Sequence, residues 1–342
     1  MALSLIFCDS FDHYSALADK WTVDGVDDQI DGVGSRTGTG NLLIKSGAFG
    51  PKLSGVTGTK FLTLTAFLPS TAGQAPPGNI LQFVTNNGNA VRLVYDATLA
   101  VSVNDVGGGH TFGTSAPNVL VNNGYNHIAF RLFFDSVAGS CRVRVNGQIV
   151  LDLNNINTQF FGDFIVAFQL LSAGGIPLAR HDDVALFSWT NPATDDIAST
   201  PRIYAALPVS DNAPLQWTPD VGVVHFSRVN EIPPDGNASY CFDGTVGHVD
   251  QYIHAISLAE NVPPIGVNPI ILGAQHNLFA EEDAAGVRAI QSDVGGVASG
   301  IDFTLTTSYR YYKTPYNSNP ATGLPWVVAD LAAVPLGPKT SI

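Results

Sequence analysis

Short stretches of alternating apolar and polar residues dominate this chain, and clusters of Gly, Asn, Asp and Pro separate them. Alternation with a period of two is typical of strands with one buried face, and the separating residues favour turns. Asn146-Gly147 predicts a tight hairpin. In the first half the pattern predicts strands at 3–8, 61–68, 79–85, 90–95, 99–103, 125–134, 141–145, 148–153, 164–171 and 183–189.

The segment 190–201 lacks apolar periodicity and carries two prolines, which predicts an exposed linker. No long amphipathic helix, heptad or Gly-x-y repeat is present. The sequence therefore predicts an all-β protein of two tandem β-sandwiches, formed by 1–189 and 202–342. Alternation resumes beyond the linker and predicts strands at 202–207, 238–243, 249–256, 265–273, 286–290, 303–307 and 326–329.

The charge of the chain excludes several classes of partner. Lys and Arg number 16 against 29 Asp and Glu, which gives a formal net charge of −13. Nucleic acids and anionic membranes bind basic surfaces, so neither is an expected partner. The most apolar stretch, 161–179, is interrupted by polar residues and glycines, and we expect no membrane insertion. Three widely spaced cysteines predict free thiols.

Catalytic carboxylates are missing where a glycosidase of this architecture would carry them. Retaining glycosidases need two carboxyl groups on one face, flanking the scissile bond. The first half contains no glutamate, and adjacent residues of a strand point to opposite faces. We therefore expect a non-enzymatic protein. The four glutamates of the chain are Glu231, Glu260, Glu281 and Glu282.

Two groups of residues are candidate metal ligands. The first follows one predicted strand at period two and so shares a face: His248, Asp250, Tyr252 and His254. A His-x-Asp stripe can bind a metal, but no second ligand cluster is visible, so a polar face in solvent or at a subunit interface is the favoured interpretation. The second group consists of Asp9, Asp12, Asp182 and Asp183. These four carboxylates would bind calcium if the ends of the first domain meet. The alternative is that they are turn residues in contact with water.

The first half resembles a known structural group. Residues 125–153 combine Y-N-H-I-A-F with a later V-R-V-N-G hairpin, and C-D-S-F-D at 8–12 and D-D-V at 182–184 open and close the pattern. This resembles the concanavalin A-like, laminin G-like jelly-roll group. The resemblance implies a jelly roll for the first domain and leaves its function open, because that fold hosts lectins, glycosidases and structural modules.

The second half carries a series of short motifs in a fixed order. They are P-R-I-Y at 201–204, W-T-P at 217–219, V-N-E-I-P-P-D-G at 229–236, T-V-G at 245–247, D-Q-Y at 250–252, A-G-V-R-A-I at 285–290 and N-P-A-T-G-L-P-W at 319–326. With them this half is similar to a domain of virion structural proteins of tailed bacteriophages and prophages, where it follows a concanavalin A-like domain. The resemblance implies a non-enzymatic structural protein of the virion, tail-associated or on the capsid surface, synthesised in the host cytoplasm. Its implied partners are other virion proteins and further copies of itself, in a homo-oligomer.

Aromatic residues provide the remaining candidates. In Y-R-Y-Y-K-T-P-Y at 309–316 adjacent rings point to opposite faces, so some rings should be exposed. Tyr and Arg are frequent interface anchors, which predicts a protein contact at Arg310, Tyr311, Tyr312 and Tyr316. The alternative function is a receptor- or carbohydrate-binding module of a tail fibre or spike. Trp21 and Tyr95 would then stack on a host surface glycan.

Overall fold

The chain forms two compact units, one ending at Ile203 and the other covering Tyr204–Ile342. Strands are the main regular element of both units, and the described residues contain a single short α-helix, so the all-β prediction is confirmed. Within the described part of the chain, no helix has the length and hydropathy needed to cross a bilayer. The computed structural model describes residues 3–11, 21–22, 29–31, 41–44, 48–51, 58–69, 78–106, 109–122, 124–159, 164–171, 179–191, 195–197, 199–231, 234–256, 270–283 and 288–342.

The first unit is built from two antiparallel sheets. One contains β1 (Ser4–Asp9), β3 (Gln29–Asp31), β4 (Asn41–Ile44), β6 (Lys60–Leu68), β11 (Asn126–Phe133), β12 (Gly139–Val145), β13 (Gln148–Ile156) and β15 (Ala179–Ser188). Its order is β13-β12-β11-β6-β15-β4-β3, and β1 pairs with β15. The other contains β2 (Trp21–Thr22), β5 (Ala48–Pro51), β7 (Gly78–Thr85), β8 (Ala90–Tyr95), β9 (Val101–Asp105), β10 (Thr111–Thr114) and β14 (Ile165–Leu171). Its order is β10-β9-β8-β7-β14-β5-β2.

Aromatic rings fill the space between the two sheets. The ring of Phe83 on β7 lies 5.5 Å from that of Phe61 on β6 and 5.8 Å from that of Phe130 on β11. Phe67 on β6 meets Tyr95 on β8 at 5.6 Å. These contacts cross from sheet to sheet, and all five side chains are buried. The predicted sandwich of the first domain is therefore confirmed, with a core of the kind that stacked sheets require.

The hairpin predicted at Asn146-Gly147 is present. The two residues adopt φ angles of 51° and 83°, and Val145 pairs with Gln148 across the turn. Asn and Gly tolerate this left-handed region, which two-residue hairpin loops require. The short-range sequence signal therefore determined the geometry of β12 and β13.

The predicted exposed linker at 190–201 is wrong for its central residues. Asp195 and Ile197 are buried, and the Asp195 carboxylate accepts two backbone N–H groups from the start of the segment. Asp196 forms ion pairs with Arg142 at 2.9 Å and Arg144 at 2.7 Å, both on β12. The segment lacks periodicity because its aspartates bind backbone and arginine groups, and it belongs to the first unit.

The second unit has one larger sheet and a two-stranded ribbon. The sheet contains β16 (Ala206–Leu215), β19 (Asp250–Ile256), β21 (Ala289–Val294), β22 (Val297–Ala298), β23 (Phe303–Thr304) and β25 (Leu336–Thr340). Its order is β16-β19-β25-β21-β22, with β23 paired to β21. The ribbon joins β20 (Ala274–Ala280) to β24 (Arg310–Tyr316), and a short pair joins β17 (Thr218–Pro219) to β18 (Cys241–Phe242). Leu278, Ile290 and Leu305 pack together and join the ribbon to the sheet.

One strand prediction in this unit fails, and another is largely untested. The strand predicted at 326–329 is wrong, since the helix α1 (Val328–Ala333) begins there. The carboxylate of Asp330 accepts the N–H of Val327 at 3.0 Å and caps the first turn. The strand predicted at 265–273 lies mostly outside the described residues, and β20 follows it with a mixed sequence, A-Q-H-N-L-F-A, that has no clear alternation.

Candidate functional site

Three side chains that can ligate a metal meet in the second unit. The imidazole of His225, the thiol of Cys241 and the carboxylate of Asp250 place their donor atoms within 4.8 Å of one another. Asp250 is fully buried, with His225 Nδ1 2.7 Å and the Tyr252 hydroxyl 2.8 Å from its Oδ2. We refer to His225, Cys241, Asp250 and Tyr252 as the Asp250 cluster.

Separate backbone elements fix each member of the Asp250 cluster. Asp250 is the first residue of β19, and its Oδ1 accepts the N–H of Trp217 at 3.0 Å. Cys241 belongs to β18, opposite Pro219 on β17. His225 precedes a short 3-10 turn at Phe226–Arg228, and its N–H donates to Asp211 Oδ2 at 3.1 Å. Each residue is thus held by contacts of its own, and in Asp250 these occupy Oδ1, while Oδ2 faces His225 and Tyr252.

Burial controls the protonation of the cluster's weak acids. It raises the pKa of the Cys241 thiol to about 12, and it raises the pKa of Tyr252 well above its usual range. A nucleophilic cysteine needs the opposite shift, because the thiolate is the reactive form. The His–Asp pair beside a cysteine is therefore not an activated thiol site.

The predicted polar stripe on β19 does not form one exposed face. Asp250 and Tyr252 are buried and hydrogen-bonded to each other, so the expectation of a solvent or interface face is wrong for them. His254 is also buried, and its ring packs edge-on against His276 at 6.3 Å. His248 lies just outside β19, with its Nδ1 3.1 Å from Asp243 Oδ2. Two further candidate metal ligands lie beside Asp250, His225 and Cys241, and the sequence pattern did not indicate either of them.

The aromatic strand β24 is more buried than predicted. Tyr311 is 8% exposed and packs against Phe279 of β20 at 4.8 Å, so it is a core residue and not a surface anchor. Tyr312 is half-buried against the Leu278 cluster, because the ribbon covers the sheet with that face. Tyr316 is half-buried too, and burial raises its pKa to about 12. Arg310 alone among the four predicted interface residues is exposed.

Exposed apolar side chains are concentrated elsewhere in the second unit. Of 21 large apolar side chains that are exposed among the described residues, fifteen lie in 204–342 and six in the first unit. Two short segments carry three each. Val221, Val223 and Val224 lie in 221–224, and Leu324, Val327 and Val328 lie in 324–328. We call these the two apolar segments.

The rings predicted to stack on a sugar are buried. Trp21 is 0% exposed, packs between Phe7 and Phe11, and donates from Nε1 to Asp9 Oδ2 at 2.8 Å. Tyr95 is 3% exposed in the core between the sheets. The prediction of a carbohydrate site at these two residues is wrong, because neither ring has a free face.

The carboxylates predicted to bind calcium accept hydrogen bonds from the chain itself. Asp9 Oδ1 accepts the N–H of Phe11 at 3.0 Å, and its other oxygen accepts the Trp21 indole. Asp182 Oδ1 accepts the N–H of Asp183, and Asp183 Oδ1 accepts the N–H of Ile203. All three are buried, and β1 pairs with β15 so that Asp9 lies opposite Val184. The ends of the first unit do meet, as that prediction required; Asp12 lies outside the described residues.

A polar row crosses the outer face of the seven-stranded sheet. On β7, Phe83 points into the core, so Gln82 points outward, opposite Gln169 on β14 and Arg92 on β8. Gln82 donates to Gln169 at 2.5 Å and accepts two bonds from Arg92, at 2.8 and 3.0 Å. Asn104 on β9 continues the row, and its Oδ1 is buried without a hydrogen-bond partner among the described residues.

No protein-family model matches the sequence, and no curated protein matches it. Solved structures that resemble the chain align with about half of it. The cellulose-induced protein Cip1 is 13% identical, with a TM-score of 0.43, over 53% of this chain and 96% of that one. Domain 4 of AbnA, a GH43 extracellular arabinanase from Geobacillus stearothermophilus, is 14% identical, with a TM-score of 0.38, over 55% and 94%. A Bacillus subtilis protein with a galectin-like fold is 14% identical, with a TM-score of 0.38, over 56% and 99%. Likeness at this level leaves the ligand and activity of this chain open.

Proposed function

We propose that the chain is a non-enzymatic structural subunit of a tailed-phage virion, anchored by its second unit. In this proposal 204–342 joins further copies of the chain and other virion proteins, while the first unit is displayed. The observation that carries it is the uneven distribution of exposed apolar side chains, fifteen in the second unit against six in the first. Exposed apolar surface is stabilised when another protein covers it.

The low charge of the chain supports the same proposal. Only 13% of its residues are charged, against about 25% in ordinary globular proteins. Contacts between subunits would then be mainly apolar and hydrogen-bonded, and salt screens such contacts little. Assembly of the full chain should persist at high salt.

The test compares charged substitutions in the two units of the full chain. Val223 is 84% exposed in the second unit, and Val137 is 77% exposed in the first, so the two sites are matched. Val223→Asp should raise the dissociation constant for self-association at least about tenfold, because a charge would be buried in an apolar contact. Val137→Asp should leave it unchanged.

Light scattering coupled to size-exclusion chromatography measures the effect across a range of protein concentrations. Equal weakening by both variants would contradict a role specific to the second unit. A wild-type chain that stays monomeric throughout would overturn self-association itself.

The polar row on the outer face of the seven-stranded sheet favours a second candidate function, binding of a glycan. Amide and guanidinium groups form hydrogen bonds with sugar hydroxyls, and the Gln169–Gln82–Arg92 row presents both kinds in a fixed arrangement. An Arg92→Ala variant should then lose retention on host cell-wall polysaccharide in affinity electrophoresis. Arg180→Ala, on β15 of the other sheet, is the control. Unchanged retention in both variants would remove this candidate.

A further inference from the structure

We propose that His225, Cys241 and Asp250 form a structural site for a divalent metal ion of the zinc class in the second unit. An imidazole, a thiol and a carboxylate are the donor set that zinc takes in proteins. Their donor atoms lie within 4.8 Å of one another, and they come from three separate segments of the chain. The proposed virion role of the chain does not use these three residues.

The distances agree with a site that needs only a small adjustment. Zinc–sulfur bonds of about 2.3 Å and zinc–nitrogen or zinc–oxygen bonds of about 2 Å separate tetrahedral ligands by about 3.3–3.6 Å. Donors as far apart as 4.8 Å must approach by about 1.2–1.5 Å, and the His225 Nδ1–Asp250 Oδ2 pair, now at 2.7 Å, must separate by about 0.6 Å. Side-chain rotation supplies such shifts, and in Asp250 the Oδ1 atom is bonded to the Trp217 N–H while Oδ2 faces His225.

The charges of the site also balance. A metal-bound thiolate and the Asp250 carboxylate together carry two negative charges, and the imidazole of His225 is neutral when it binds a metal. A divalent ion therefore gives a neutral group, which is the least costly charge state for a buried position. Asp250 is 0% exposed and His225 is 8% exposed.

Hydrogen bonding alone accounts for only part of the Asp250 cluster. It explains the contacts of Asp250 with His225 and Tyr252. The thiol of Cys241 is left with weak bonds, among them one to the His225 carbonyl oxygen at 3.7 Å. A metal bond would engage the thiol far more strongly than these contacts do.

The architecture of the second unit gives the ion a role. Among the described residues, eight apolar side chains are buried in 204–342, compared with 39 in the first unit. Domains with small cores are often stabilised by structural metals, which link segments that packing alone holds weakly. Here one ion would join the β17–β18 pair, the loop before Phe226–Arg228 and the first residue of β19.

The test uses the full chain with Zn²⁺ and Co²⁺ as probes. After dialysis against excess ZnCl₂ and removal of unbound ion, elemental analysis should find one equivalent of zinc per chain. Co²⁺ should give visible bands of tetrahedral coordination and a near-ultraviolet thiolate charge-transfer band. Cys241→Ser should abolish the charge-transfer band and weaken zinc binding at least about tenfold. Cys8→Ser, which removes a half-buried thiol of the first unit, should change neither.

Thermal unfolding with and without Zn²⁺ provides a second measurement. Zinc should raise the unfolding temperature of the wild type and of Cys8→Ser, but not that of Cys241→Ser. A wild-type chain that binds no zinc, or a cobalt spectrum without thiolate charge transfer, would overturn the proposal even if Cys241→Ser failed to fold. Loss of the charge-transfer band in Cys8→Ser instead of Cys241→Ser would overturn it as well.

Discussion

The two units bury their apolar residues to very different extents. The first places eight large aromatic or indole side chains at under 2% exposure or close to it, from Phe7 to Phe134, whereas the second has a small cluster around Leu278 and Ile290. The second unit also exposes most of the large apolar side chains among the described residues. Burial of apolar surface is the main favourable contribution to folding. The comparison therefore predicts that the first unit is the more stable of the two.

Truncating one core side chain in each unit gives the largest effects and tests the difference between the two cores most directly. Phe83→Ala, between the sheets of the first unit, should lower the free energy of unfolding by about 4 kcal/mol, because a fully buried ring leaves a large cavity. Leu278→Ala, at 9% exposure in the second unit, should cost about 2 kcal/mol, since its surroundings are thinner. Urea titration with hydrogen-exchange mass spectrometry measures each unit separately. A larger loss from Leu278→Ala would contradict the contrast between the two cores.

Acid should unfold the second unit before the first. Burial lowers the pKa of His254 to about 4 and that of His276 to about 3 in the second unit, and that of His181 to about 3 in the first. Below about pH 6.5 these histidines become protonated in the unfolded chain but stay neutral in the folded chain. The free energy of unfolding therefore decreases as the pH falls. The second unit should unfold first because its core is smaller.

Hydrogen exchange at a series of pH values between 6.5 and 4 measures this order. His254→Gln should reduce the pH dependence of the stability of the second unit. His110→Gln, at an exposed position of the first unit, should leave the pH dependence of both units unchanged. Simultaneous loss of protection in both units would argue against the assignment to these rings.

The sequence also predicts the strands of the first unit better than those of the second. In the first unit, period-two alternation located most strands, and Asn146-Gly147 located the hairpin, because each signal is local. The exposure of Trp21 was mispredicted, since an isolated ring gives no sign of the Phe7 and Phe11 side chains that cover it. In the second unit β20 was missed for lack of alternation.

The Asp250 cluster could be found only in part from the sequence. Period two correctly placed Asp250 and Tyr252 on one side of β19, where they are hydrogen-bonded. Cys241 reaches them only after β17 pairs with β18, and His225 only through the loop held by Asp211. Those contacts join residues 9 to 25 positions apart with no regular spacing, so no motif marks them.

Asp196 sharpens the boundary of the first unit. Its ion pairs with Arg142 and Arg144 hold the segment after β15 against β12, and the two arginines keep the pKa of Asp196 below its usual value. Asp196→Asn should lower the free energy of unfolding of the first unit by about 1 kcal/mol, because the pairs are partly screened by solvent. The effect should disappear as the pH falls through the folded pKa of Asp196, where the wild-type carboxyl also loses its charge. Urea titrations at neutral and acidic pH check this, and an equal effect on the second unit would contradict it.

The smallest effects are expected from glycine substitutions in the hairpin turns, and they should be equal in the two units. Equal effects would show that the cost of a turn substitution does not depend on the size of the core. Gly147 follows β12 at a φ of 83°, and Gly296 follows β21 at a φ of 84°, each at the second position of a two-residue hairpin turn. Alanine in this left-handed region costs about 1 kcal/mol wherever it occurs, because the clash involves its own backbone. Gly147→Ala and Gly296→Ala should therefore destabilise their units equally in urea titrations, unlike Phe83→Ala and Leu278→Ala. A much larger cost at Gly296 would mean that the second unit is weakened by its turns as well as by its core.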